Sequence, residues 1–150
     1  MRILFVCSGN TCRSPLAEAI TRRMIADSGR TDVEVWSAGT NAWDGSSASD
    51  GALLVGMERG VDLSEHRSRQ LDAERVEGSD LILVMAPSHL VRVKEIDPNA
   101  NVHLLGGFAS GEGEGRAVQD PFGGDLTAYR DTFDELEREL AHLLDRIPAP

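Results

Sequence analysis

Two thiols, Cys7 and Cys12, a guanidinium, Arg13, and a hydroxyl, Ser14, crowd into the stretch VCSGNTCRSP, between an apolar run and a proline. If a turn here curls its backbone N–H groups inward ahead of a helix, those donors and the helix N-terminus form an anion cradle. Gly9 and Asn10 are residue types that tolerate the positive φ such a curl needs. Arg13 adds a planar fork matched to two phosphate oxygens. A cysteine in that field is a candidate thiolate nucleophile, and Ser14 is placed both to cap the helix and to donate a hydrogen bond to the sulfur. Taken alone, Cys7 reads more readily as a small apolar residue closing a buried strand. Its position before Gly-Asn, an arginine and a helix start favours the chemical reading.

Such a cradle needs a rigid strand behind it and a helix in front. Ile3 to Val6 is a continuous β-prone apolar run, expected of a strand covered on both faces of a parallel sheet. The helix that follows is expected to be capped by Ser14, with Pro15 in its first turn and Leu16, Ala17, Ile20 and Met24 at helical spacing. Residues 32 to 37 alternate like a second strand, and a polar, glycine-containing loop leads to a helix near 48 to 59. A mixed connector runs into a short helix near 71 to 76. Residues 80 to 85, DLILVM, give another buried strand, 87 to 96 a helix, and 102 to 105 a short last strand. Residues 106 to 119 read as a flexible loop, and a long helix is expected over about 125 to 146, its acidic side facing solvent. Strands alternating with helices predict a small α/β fold, a doubly wound four-stranded parallel sheet with helices on both faces. Ligands in such sheets sit outside the carboxyl ends of the strands, where VCSGNTCRSP lies.

Composition narrows the partners. With 15 basic and 25 acidic residues the 150-residue chain carries a formal charge of −10, which disfavours nucleic acid or an anionic membrane as partner. Any phosphate must be captured locally, against that global field. The apolar start is too short for a signal-peptide core or a membrane span. The expectation is therefore a single domain over residues 1 to 150, cytoplasmic and monomeric, with two cysteines that are catalytic or redox-active rather than structural. The four histidines lack close metal-ligand spacing, so neither metal nor cofactor is expected.

VCSGNTCRSP resembles the signature of the low-molecular-weight protein phosphatases, which are cysteine-dependent. SAGT at 37 to 40, GVDLSEHRSRQL at 60 to 71, DLILVM at 80 to 85 and DPFGG at 120 to 124 resemble further family segments in order and spacing, so the likeness covers nearly the whole chain. It implies that Cys7 is the nucleophile, that Arg13 and the loop Ser8, Gly9, Asn10, Thr11, Cys12 and Ser14 hold the phosphoryl group, and that Asp120 is the general acid. By itself an Asp-Pro pair is usually only a turn; the resemblance separates Asp120-Pro121 from Asp97-Pro98.

The resemblance leaves two phosphorylated side chains in play. Tyrosine-directed members commonly carry an aliphatic residue at the position of Thr11 and more aromatics after the Asp-Pro pair. Thr11 with DPFGG resembles instead the bacterial protein-arginine phosphatases. A threonine leaves room and an acceptor for a branched, planar guanidinium. Phe122 and Trp43 are expected at the mouth, although Trp43 can equally pack away from it. The spacing of Cys7 and Cys12 suits a reversible disulfide that protects the nucleophile. The HRSR run, 66 to 69, looks like a basic patch but is expected to brace the connector through capping and ion pairs. An arsenate reductase would want relay cysteines outside the loop, and this chain has none; a non-catalytic phosphoprotein-binding module would lack Cys7, Arg13 or Asp120, and all three are present.

Overall fold

The structure, a computed structural model, describes residues 1–108 and 115–149. In chain order it runs β1 (Arg2–Cys7), α1 (Arg13–Ser28), β2 (Glu34–Gly39), α2 (Asp50–Glu58), α3 (Ala73–Glu77), β3 (Leu81–Val84), α4 (Pro87–Ile96), β4 (Val102–Leu104), α5 (Leu105–Phe108) and α6 (Leu126–Leu140), followed by a 3₁₀ turn at Leu144–Arg146. All four strands pair in parallel in the order β2-β1-β3-β4. The strand order reverses at β1, so the crevice beyond its carboxyl end is the switch point of the sheet.

The continuous apolar run of β1 is explained by its two covered faces. Ile3 and Phe5 pack with Leu16 and Ile20 of α1 and Phe133 and Leu136 of α6. Leu4 and Val6 pack on the other side with Val76 of α3 and Val93 of α4. Alternating strand residues thus feed two cores, and neither face has room for a polar side chain. Cys7 is thereby delivered to the carboxyl end of the sheet by an inner strand packed into both cores.

Four expectations are corrected. Helix α1 begins at Arg13 with Cys12 at the capping position, and Ser14 lies inside the first turn with its hydroxyl spent on Cys7 and Asn10 instead of on a cap. The final helix stops at Leu140. The following 3₁₀ turn keeps Leu143 and Ile147 buried, while Arg30 donates to the carbonyls of Leu144, Ile147 and Pro148. The acidic face of α6 is not wholly solvated: Glu139 is buried and accepts from the Gly107 N–H and Arg116. The expected loop 106 to 119 is entered through the helical turn α5, and its residues 109 to 114 lie outside the described residues.

Candidate active site

The loop between β1 and α1 is built around Asn10, which sits at φ 55° and is fully buried. Its side-chain amide donates to Ser14 Oγ at 2.8 Å and Ser37 Oγ at 2.9 Å, its side-chain oxygen accepts from the Arg69 N–H at 3.0 Å, and its backbone carbonyl accepts from His66 Nε2 at 2.7 Å. Asparagine is among the few side chains that tolerate this left-handed conformation, and here four partners hold it there. Gly9, by contrast, is not in a positive-φ conformation, so the curl is made by Asn10 alone. The glycine that sterics demand is Gly39 of β2: a Cβ there would stand 2.4 Å from the Ser8 carbonyl oxygen.

The loop's carbonyls are tied outward. Those of Cys7, Ser8 and Thr11 accept from the N–H groups of Thr40, Asn41 and Ser49, each at 2.9 Å, and that of Cys12 from Leu16. With those peptide oxygens held on the outside, the N–H edges turn toward the opposite side, where a cavity of about 310 Å³ opens. Cys7, Ser8, Gly9, Thr11, Cys12 and Arg13 form its floor, and Asn41, Asp120 and Phe122 its rim.

At the floor, Cys7 Sγ lies 2.9 Å from Ser14 Oγ. Because Ser14 Oγ already accepts from Asn10, its own hydrogen is free to be donated to the sulfur. Arg13 is 5% exposed; its Nη1 donates to the Val118 carbonyl at 3.2 Å and its Nη2 lies 3.5 Å from Asp120 Oδ2. Asp120 Oδ1 accepts from the Phe122 N–H at 3.1 Å. A thiol, a buried guanidinium and a carboxyl group thus converge on one concave space, the set of groups that displacement at phosphorus would require.

Of the anticipated phosphate ligands, Ser8, Gly9, Thr11, Cys12 and Arg13 line the cavity, whereas Asn10 and Ser14 are buried behind it as struts. Phe122 stands at the rim, 74% exposed. Trp43 is absent from the cavity wall; it projects into solvent while the Ser68 hydroxyl holds its carbonyl. Among the described residues the HRSR run braces the loop rather than forming ion pairs: His66 and Arg69 grip Asn10, and Arg67 donates to the carbonyls of Ser64 and His66. Burial holds His66 below its ordinary pKa, against the opposing pull of its Asn10 bond.

Three neighbours escaped the sequence reading. Ser49 and Tyr129 bond Cys12 Sγ, at 3.2 and 3.5 Å, and burial first, the Cys12 bond second, push the Tyr129 hydroxyl above its ordinary pKa. His89 Nε2 contacts Ser8 Oγ at 2.9 Å. Burial, then the charge of Arg13, lower its pKa to about 4. A second cavity, of about 290 Å³, lies behind the loop between α1, β2 and the connector, and none of Cys7, Arg13 and Asp120 lines it. Among the described residues no group of histidine, cysteine and acidic side chains is arranged to hold a metal, and no helix is long and apolar enough to cross a membrane.

Comparison with known proteins places the chain in a family. Residues 2–149 match the low molecular weight phosphotyrosine protein phosphatase family. The chain is 40% identical to a protein-arginine-phosphatase of Geobacillus stearothermophilus, covering 97% of this chain and 95% of that protein. It is 39% identical to the low molecular weight protein-tyrosine-phosphatase PtpB of Staphylococcus haemolyticus, with 91% and 92% covered. Among solved structures, it superposes with TM-score 0.91 and 35% identity on a Cys-to-Ser mutant of the YwlE arginine phosphatase bearing a phosphorylated active-site serine, covering 98% and 95% of the two chains.

Proposed function

Because this chain belongs to the low molecular weight phosphotyrosine protein phosphatase family, we propose that it removes phosphate from phosphoarginine in proteins through a phosphocysteine at Cys7. That it is a protein phosphatase, a hydrolase, follows from the family; the residue roles and the arginine preference are our reading. The observation that carries it is the convergence of Cys7 Sγ, with Ser14 Oγ at 2.9 Å, and of Asp120, 3.5 Å from Arg13, on one cavity.

In the first step the Cys7 sulfur attacks phosphorus, the P–N bond breaks, and the Asp120 carboxyl gives its proton to the departing guanidine nitrogen. Arg13 and the loop N–H groups hold the equatorial oxygens while charge moves across them. In the second step Asp120, now a carboxylate, takes a proton from water, the water oxygen bonds to phosphorus, and the S–P bond breaks. Inorganic phosphate and the Cys7 thiolate are released.

Thr11 on the cavity floor supports arginine: its hydroxyl gives a planar nitrogen group an acceptor, and its small size leaves width. The arginine phosphatases among the relatives support the same choice. Phe122 favours the alternative, since an exposed ring at the rim suits stacking on a phosphotyrosyl ring. The two are separated by kcat/KM on matched phosphoarginine and phosphotyrosine peptides with wild type and Thr11→Ile. We expect wild type to favour phosphoarginine and the substitution to erode that preference by about tenfold or more, roughly 1.4 kcal/mol. A wild-type preference for phosphotyrosine that Thr11→Ile leaves unchanged would refute the arginine assignment. We further propose that residues 1 to 150 act as one phosphatase domain, as a cytoplasmic monomer, with Cys12 as the redox partner of Cys7.

A further inference from the structure

His89 is buried, 2% exposed, and neither reaction step uses it. It stands in the first turn of α4, across the sheet from α1, and its hydrogen bond to the cradle is with Ser8 Oγ, 2.9 Å from its Nε2. Its other nitrogen, Nδ1, is buried with no hydrogen-bond partner among the described residues. A neutral imidazole has one N–H and one lone pair. An orphaned buried N–H is rarer and costlier than an unfilled acceptor, which assigns the proton to Nε2. Ser8 Oγ then accepts from His89, and the serine's own hydrogen is left to be donated elsewhere. Ser8 lines the cavity beside Cys7 and Arg13.

We propose that His89 is a positioning residue that fixes Ser8 Oγ as an acceptor, so that the Ser8 hydroxyl is aimed as a donor at a phosphoryl oxygen bound in the cavity. Without the imidazole the hydroxyl is free to rotate and to accept, and the cradle loses a preset donor. The ring suits a fixed role because it stays neutral at working pH. A second proton would sit on the partnerless Nδ1 with the Arg13 cation nearby; Asp120, the other charged group that acts on it, pulls the opposite way without prevailing. The proposal rests on reading the cavity as the phosphate site.

A double-mutant cycle of His89→Leu and Ser8→Ala tests it, read as inhibition by inorganic phosphate and as kcat/KM for p-nitrophenyl phosphate. His89→Leu is expected to weaken phosphate inhibition about tenfold, the effect of about one hydrogen bond. In the Ser8→Ala background the same change should cost about twofold or less, because the group through which His89 acts is gone. Equal losses in both backgrounds, or no loss in His89→Leu, overturn the proposal. Nitrogen NMR of the wild-type imidazole gives a test independent of any variant: the Nε2–H tautomer is expected at neutral pH, and an Nδ1–H tautomer overturns it. Failure of the underlying site reading looks different, since Cys7→Ser would then still turn over substrate whatever the cycle shows.

Discussion

Asn10, at the centre of the cradle, is fully buried with its amide and both its oxygens bonded to four separate partners, whereas Asp120, across the cavity, has a side chain 52% exposed that is held by one backbone N–H and a 3.5 Å approach to Arg13. The two regions face the same space under different restraint. Donors that stabilise charge on phosphorus act best when already in place, because any reorganisation would be charged to the barrier. An acid that must serve a leaving group and then a water has two positions to reach, and a lightly held side chain can reach both. The cradle is also tied to both cores through β1 and α1, while Asp120 hangs from residues 118–124, anchored by Val118, bonded to Met85 and Arg13, by Gln119, bonded to Glu135 and Thr132, and by the buried Pro121.

The difference is broken most completely by chemistry that attacks the cradle alone. Peroxide is expected to abolish activity in wild type and in Cys12→Ser, with full recovery under thiol only in wild type, measured as residual turnover; matching recovery would show that Cys12 does not protect Cys7. Next in size, Asp120→Asn should lower kcat/KM, which reports the first step alone, by about a hundredfold to ten-thousandfold on a phosphoarginine peptide. It should do markedly less on p-nitrophenyl phosphate, whose leaving group needs no proton, with melting temperature unchanged. Equal losses on both substrates would take the acid role from Asp120. Asn10→Ala should act through stability, costing about 1–3 kcal/mol in chemical denaturation as buried partners lose their bonds; a change within about 0.5 kcal/mol would mean the cradle is not held by this residue.

The smallest effect is a pH slope. His89 is held at about 4 by burial and, secondarily, by Arg13, against the opposing Asp120, while an unfolded histidine titrates near about 6.5. Between these values the unfolded chain binds a proton the folded protein refuses, so stability is intact above about 6.5 and declines as pH falls toward about 4. Thermal melts across that window should show a shallower decline in His89→Gln than in wild type. Identical slopes would place the acid sensitivity elsewhere.

The contrast between the two regions also marks what the sequence made legible. Cys7, Arg13 and the strand and helix around them are contiguous, so their chemistry was readable from spacing. Asp120 is remote in sequence and stood out only through resemblance to a family. Ser14 was recognised as a partner of the sulfur but misread as a cap, because a good capping residue is also a good buried donor and local propensity does not distinguish the two. The struts were illegible for a stronger reason: His66, His89 and Tyr129 reach the loop across separations of 56, 81 and 117 residues, and no window of sequence contains such pairs. Gly39 carried a signal in SAGT, but only the approach of Ser8 explains it. Trp43 shows the converse, a conspicuous aromatic that the fold leaves outside the cavity wall.

Trapping the covalent intermediate tests the central claim most directly. Asp120→Asn, mixed with p-nitrophenyl phosphate and quenched within the first turnover, should carry one phosphoryl group on the peptide containing Cys7, located by mass spectrometry, because the attack needs no acid and the hydrolysis lacks its base. Cys7→Ser should not sustain nitrophenol release beyond one equivalent per enzyme. A phosphoryl group on any other residue, or continued release by Cys7→Ser, would contradict the account.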